Sequence, residues 1–93
     1  MTMGIFIARD MPPEHTSNGT VAFHASVDDH MVTCEVTDEA LQDHFGARMD
    51  DPESLIEAFR KGRPDIELLA LMKLNIDPSS PCLIATGDFK PEH

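Results

Sequence analysis

Residues 37–59 read TDEALQDHFGARMDDPESLIEAF, and this stretch carries the start and stop signals of two short helices. Thr37 or Asp38 caps the first helix, because a short polar side chain there accepts a hydrogen bond from an unpaired backbone N–H. Gly46 ends that helix, since glycine readily adopts the left-handed conformation found at helix ends. Asp51 caps the second helix, and a proline follows at its first position. The stretch therefore predicts architecture and contains no recognisable catalytic motif.

Immediately before these helices, residues 20–36 alternate between apolar and polar side chains, which is typical of β-strands. A two-residue loop at Asp28-Asp29 places Phe23 opposite Cys34, so that the apolar rows of the two strands fall on the same face. The pattern therefore predicts a β-hairpin. Its turn requires a positive φ at Asp29, which costs an aspartate about 1 kcal/mol.

The remaining elements are predicted from apolar runs and turn residues. These are a strand at residues 3–9, a loop at 10–19, a third helix at 64–75, a last strand at 82–86 and a tail at 87–93. We therefore predict a single small α+β domain over residues 1–93. It has an antiparallel sheet of three or four strands, which includes the hairpin at 20–36 and the last strand at 82–86, packed against three short helices on one face.

Several motifs occur in a fixed order along the chain. They are FHASVDDHMVTCEV at 23–36, EALQDHFGA at 39–47, a second helix ending at Phe59, Ile66 after Arg63, and TGDF at 86–89. As a set they resemble a family of small bacterial proteins known as domain of unknown function 1488, over most of the chain. The resemblance implies a compact α+β fold and no established activity, and it transfers no catalytic or ligand residue. The family usually has Asp-Gly at the hairpin turn, so Asp28-Asp29 is a departure that affects turn geometry.

Charge excludes several classes of partner. Seventeen acidic residues against seven basic ones give a formal net charge of −10. Nucleic-acid binders and proteins that bind anionic membrane surfaces rely on Lys and Arg, so we expect neither activity. The acidity indicates solubility first and a docking surface for a basic partner second.

The location is predicted from what the sequence lacks. No apolar run approaches the roughly 20 residues needed to span a bilayer, and the N-terminal residues do not read as a signal peptide. The two cysteines, Cys34 and Cys82, do not form a disulfide framework. We therefore predict a cytoplasmic protein with both thiols free.

Metal binding is the first chemistry to consider. The candidate ligands with the best placement are Cys34, Cys82 and either His24 or His44, but no two of them have the close spacing typical of structural zinc sites. Buried cysteines more often pack as small hydrophobes, and His24 falls on the strand face opposite Cys34. A metal-binding or small-molecule-binding module built from these residues is the alternative function, although the sequence assigns no cofactor.

Catalysis by a nucleophile or by acidic residues is the second chemistry to consider. Cys34 and His44 resemble a nucleophile and base only by proximity in sequence, because Cys34 lies in an apolar, acidic setting that disfavours a thiolate. His44 is expected to pack at the edge of the core with one hydrogen bond. The paired acidic residues already serve the hairpin turn and the two helix starts, and no phosphate-binding glycine motif is present. We predict that the protein is not an enzyme.

The third helix offers the remaining functional feature. Its apolar arc is wider than a small sheet covers. Either all of its leucines pack in the core, which is the more common outcome, or one edge, formed by Leu68, Leu71 and Leu74, stays exposed and is buried against a partner. The leading hypothesis is therefore a small acidic protein that acts through protein–protein contacts, as a homodimer or with an unidentified protein partner.

Overall fold

A computed structural model describes residues 4–78 and 82–89 of the chain. In chain order the described elements are β1 (Ile5–Ile7), β2 (Glu14–His15), β3 (Thr20–Val27), β4 (His30–Thr37), α1 (Asp38–Phe45), α2 (Pro52–Lys61), α3 (Arg63–Ile76), β5 (Cys82–Ile84) and a 3₁₀ turn (Thr86–Asp88).

The predicted hairpin is confirmed in its register. β3 and β4 pair antiparallel with Phe23 opposite Cys34, so the apolar rows of both strands face the helices. The two turn residues have positive φ angles, 49° at Asp28 and 69° at Asp29, as a type I′ turn requires. Neither residue is glycine, so the turn retains backbone strain.

We expect Asp29→Gly to raise the free energy of unfolding by about 0.5–1 kcal/mol, because glycine adopts a positive φ without steric cost. The measurement is the urea midpoint at constant m-value. Asp65→Gly is the matched control. Asp65 lies in the first turn of α3, where glycine weakens the helix and should lower the midpoint. A loss of stability in Asp29→Gly would contradict the prediction.

The expected α+β class, with its hairpin and three helices, is confirmed, and the sheet differs in two details. In the described residues it has five strands instead of three or four, in the order β1-β3-β4-β5 with β2 beside β3. It is also mixed, because β5 runs parallel to β4. Parallel pairing follows from the three helices between these strands, which return the chain to the end of the sheet where β4 began.

The additional strand, β2, lies within residues 10–19, which were predicted as a loop. Glu14 pairs with Ala22 and His15 with Val21, so β2 occupies the edge of β3 that β1 leaves free. The His15 Nε2 donates to Asp38 Oδ2 at 2.8 Å, which fastens β2 to the start of α1.

The helices cover one face of the sheet. The largest side chains of the core are fully buried between that face and the helices: Phe23, Leu41, Leu55, Phe59, Ile66, Leu74 and Ile84. On the other face Phe6, Met31 and Leu83 are exposed, and strand register places all three on that side. The expectation of three helices on a single face therefore agrees with the structure.

The helix ends follow the predicted capping signals. The Thr37 Oγ1 accepts from the Ala40 N–H at 3.1 Å, which makes Thr37 the N-cap of α1 instead of Asp38. Gly46 ends α1 with a φ of 71°, and Asp51 caps α2.

The junction between α2 and α3 is a single residue, Gly62. A Cβ atom at this position would lie 2.5 Å from the ring of Phe45, so glycine is required for α1 and the α2–α3 junction to approach this closely. The third helix begins immediately after it.

Several predicted boundaries shift by a few residues. The first strand covers Ile5–Ile7 within predicted 3–9, the third helix covers Arg63–Ile76 instead of 64–75, and the last strand ends at Ile84 instead of residue 86. Part of the predicted tail is ordered in the 3₁₀ turn, because the Ala85 N–H donates to Asp88 Oδ2 at 2.8 Å. The remainder, residues 90–93, lies outside the described residues.

A buried carboxylate links α3 to the segment after β1. Glu67 on α3 is buried and accepts from Arg9 Nη2 and Arg63 Nε, each at 2.6 Å. Burial raises the pKa of Glu67, but the hydrogen bonds and charges of the two guanidinium groups outweigh burial and lower that pKa overall. The carboxylate is therefore held ionised inside the fold.

Candidate protein-interaction surface

The third helix exposes part of the edge predicted from the sequence. Leu68 is exposed and Leu71 is half-buried, but Leu74 is fully buried, so Leu74 is corrected to a core residue. The reason is geometric. Each step of three residues moves about 60° around a helix, so two steps carry Leu74 about 120° away from Leu68 and into the core.

The side chains that are exposed instead follow a spacing of four. Leu68, Met72 and Ile76 are 57%, 55% and 84% exposed, and we call these three residues the α3 stripe. Residues four apart lie on nearly the same side of a helix, so the stripe presents one continuous apolar edge. Whether this edge binds a partner stays a prediction at this point.

A groove of about 610 Å³ runs beside the α3 stripe and shares Leu68 and Met72 with it. We call it the apolar groove. Its further lining residues come from α1, from α3 and from the 3₁₀ turn and its end: His44, Phe45, Asp65, Leu69, Asp88 and Phe89.

Aromatic rings form one end of the apolar groove. The rings of Phe45 and Phe89 meet edge to face at 5.4 Å between centroids, and His44 stacks against Phe89 at 4.8 Å. The His44 Nε2 donates to the carbonyl oxygen of Thr86 at 3.2 Å. The hydrogen bond of His44 agrees with the prediction, but its side chain is exposed instead of packed at the core edge, and its ring contacts Phe89.

The rim of the apolar groove is acidic. Asp65 and Asp88 contribute carboxylates, and Lys73 pairs with Asp88 at 3.0 Å. Partial burial raises the pKa of Asp88, but the Ala85 N–H and Lys73 lower it overall, so this carboxylate is ionised near neutral pH. The rim therefore carries two carboxylates, one of which is already paired with Lys73.

The two cysteines become neighbours. Cys34 and Cys82 are register partners on β4 and β5, both buried and both free thiols. His24 pairs with Thr33, the residue next to Cys34, so His24 points to the opposite face of the sheet. Among residues 4–78 and 82–89, no three Cys, His, Asp or Glu side chains cluster closely enough to hold a metal ion. The structure thus joins two of the candidate ligands without a third.

A second apolar depression, of about 510 Å³, lies between β2 and α2. Pro13, His15, Ile56 and Arg60 are among its lining residues, together with three glutamates. It carries none of the large exposed hydrophobic side chains found on α3. Of these two depressions, the apolar groove is therefore the one bordered by large exposed hydrophobic side chains. In the part of the chain that the structure describes, no helix is long and apolar enough to cross a bilayer.

Comparisons with known proteins give a family but no activity. The sequence matches a family described as "Protein of unknown function (DUF1488)" over residues 9–81. The fold is similar to the crystal structure of a protein of unknown function from that family from Shewanella loihica PV-4, with a TM-score of 0.75 and 16% identity. The alignment covers 91% of this chain and 93% of that chain, and at this identity it shows the fold alone. A comparison with curated proteins finds no match.

Proposed function

The chain belongs to the DUF1488 family, whose function is unknown, and we propose that it is a non-enzymatic protein that binds another protein through the α3 stripe and the apolar groove. The observation that carries this proposal is the continuity of the two features, because Leu68 and Met72 belong to both. Contiguous exposed apolar surface of this kind marks interaction sites more often than isolated exposed side chains do.

The surface has the composition of an interface centre. Leucine, methionine and phenylalanine side chains lie together, with carboxylates at the edge, which matches the apolar core and polar rim of protein interfaces. Covering the exposed halves of Leu68 and Met72 contributes about 1 kcal/mol for each side chain. The rings of Phe45 and Phe89 provide a rigid wall for an apolar anchor from the partner.

Charge determines which partner we propose. Each chain carries a net charge of −10, so two copies repel each other, and Asp65 adds negative charge at the groove itself. A partner that presents apolar anchors flanked by Lys or Arg gains the opposite sign of interaction. We therefore propose a basic protein partner in a reducing cytoplasm, with self-association as the competing outcome.

We expect Met72→Gln to weaken partner capture about tenfold, since it places an amide in the centre of the apolar contact. Met31→Gln is the matched control, because Met31 is 56% exposed on the uncovered sheet face, against 55% for Met72. Both variants should retain the native urea midpoint within about 0.5 kcal/mol, as both side chains are largely in solvent. The measurement is quantitative affinity capture with native and variant baits at two salt concentrations.

The outcomes separate the alternatives. A captured protein that is lost from the Met72→Gln bait, kept by the Met31→Gln bait and weakened by salt supports the proposal. Equal loss from both baits contradicts it. Sedimentation at micromolar concentration should give a monomer, and a dimer that dissociates in Met72→Gln would replace the basic partner by a second copy.

The metal-binding alternative has less support. Cys34 and Cys82 are adjacent, but His24 lies on the far side of the sheet and His44 is engaged with Thr86. We therefore do not advance that module as a second function.

A further inference from the structure

The positions of Cys34 and Cys82 meet the geometric requirement for a disulfide. They face each other in register on adjacent strands, and neighbouring strands lie about 4.7–4.9 Å apart. Disulfides join Cα atoms about 4.4–6.8 Å apart, so the backbone already lies within range. Both side chains are buried in the core on the sheet face that the helices cover, so the two cysteines lie on the same side of β4 and β5.

We propose that Cys34 and Cys82 form a peroxide-sensitive thiol pair, which a hydroperoxide converts to an intramolecular disulfide between β4 and β5. This inference is independent of the proposed partner and of the apolar groove. It assigns a modification to two side chains that otherwise serve as core packing.

The two thiols are not equivalent, and Cys82 is the better nucleophile. The neighbouring Cys34 thiol lowers the pKa of Cys82 although burial opposes this. The charge of Lys73 lowers that pKa further, and the charge of Asp88 raises it. The neighbouring Cys82 thiol and burial raise the pKa of Cys34. Cys82 is also 6% exposed, whereas Cys34 is 0% exposed.

The chemistry balances with one molecule of peroxide. The Cys82 thiolate attacks a peroxide oxygen and breaks the O–O bond, giving a sulfenic acid and hydroxide, which leaves as water with the proton of the thiol. The sulfur of Cys34 then attacks the sulfenic sulfur and expels its hydroxyl group, which leaves as a second water with the Cys34 proton. Two electrons pass from the two sulfurs to the peroxide.

The position of β5 gives the oxidant access. β5 is a three-residue outer strand of the described sheet, beside β4. Short edge strands open locally at lower free energy than central strands, and a hydroperoxide as small as hydrogen peroxide needs little space. Cys82 therefore meets the oxidant while the rest of the core remains folded.

The test treats the folded full-length chain with hydrogen peroxide and then counts thiols after denaturation in an alkylating agent. We expect the count to fall from two to none in a monomeric product about 2 Da lighter, and dithiothreitol should restore both thiols. Circular dichroism before alkylation checks that the protein is folded during oxidation.

Single variants assign the roles of the two sulfurs. In Cys34→Ala we expect dimedone to trap a sulfenic acid on Cys82, because no second thiol resolves it. In Cys82→Ala we expect Cys34 to lose its thiol at least about tenfold more slowly. Equal rates in the two variants overturn the assignment of Cys82 as nucleophile.

The mass measurement on the native chain does not depend on the variants. Retention of both thiols at a peroxide concentration that oxidises the urea-unfolded chain overturns the proposal. Oxidation to sulfinic acids, or to dimers linked between chains, overturns it as well, because either product shows that the neighbouring thiol does not intercept the sulfenic acid.

Discussion

Phe59→Ala is expected to lower the free energy of unfolding by about 3–5 kcal/mol, the largest effect of any single substitution considered for this protein. The Phe59 ring is fully buried and lies 5.2 Å from the ring of Phe23, with the Arg63 guanidinium 5.3 Å from its centroid. Alanine leaves a cavity where the sheet meets α2 and α3. A domain of this length has a total stability of roughly 5–14 kcal/mol, so this loss removes a large share. Urea denaturation followed by circular dichroism provides the measurement.

Phe6→Ala is the matched control for this prediction. Phe6 is 69% exposed on the sheet face that the helices leave uncovered, so the same deletion should change the free energy of unfolding by less than about 0.5 kcal/mol. Similar losses at both positions would show that the two sheet faces are equally buried, against the structure.

The second large effect is expected from Glu67→Gln, with a loss of about 2–3 kcal/mol at neutral pH. The substitution keeps the size of the side chain but removes the charge that Arg63 contacts at 2.6 Å in a partly buried position. The estimate lies below the full value for a buried ion pair because Arg9 is mostly exposed and returns easily to solvent. Glu57→Gln on the exposed side of α2 is the control and should be nearly neutral.

The stability that Glu67→Gln loses should depend on pH, and the loss should be smaller in acid. The folded pKa of Glu67 is lowered, so its stabilising contribution is fully present above the unfolded value of about 4.3 and disappears as pH falls through the lower folded pKa. The stability difference between native protein and Glu67→Gln should therefore narrow below about pH 4.5. Urea midpoints of both proteins measured across this pH range test the prediction. A stability difference that stays constant with pH would contradict an ionised, buried Glu67 carboxylate.

Local signals explain what could be predicted from the sequence. The hairpin register was predictable because a two-residue loop at Asp28-Asp29 places Phe23 opposite Cys34, and this pairing puts the apolar rows of both strands on one face. The caps at Thr37 and Asp51 were predictable because the capping side chain and the N–H it accepts from lie three residues apart. Such features depend on neighbours in sequence.

Features that depend on distant contacts could not be predicted in this way. β2 is two residues long and forms because β3 has a free edge beside it, which no periodicity within residues 10–19 indicates. The parallel direction of β5 depends on the three helices, which return the chain to the end of the sheet where β4 begins. The Arg9–Glu67 ion pair joins residues 58 positions apart, and neither residue is distinctive in its local sequence.

The candidate surface was predicted only in part, because it also depends on contacts between residues that are distant in sequence. Of the edge proposed from the sequence, Leu68 is exposed and Leu74 is buried, because the sequence did not show which side of α3 faces the sheet. A spacing of four from Leu68 to Met72 was the signal that identifies the stripe. The apolar groove also needs Phe45 and Phe89 to meet, and these rings lie on α1 and after the 3₁₀ turn.

The parallel pairing of the last strand has a consequence for biosynthesis. β4 leaves the ribosome before all three helices, and β5 leaves after them, so the nascent chain carries a central strand with one unsatisfied hydrogen-bonding edge while residues 38–81 are synthesised. Such an edge invites pairing with other unfinished polypeptides. We therefore expect shielding by chaperones to matter most in the interval before Cys82–Ile84 docks, when the backbone of β4 beside Cys34 and Val36 is still open.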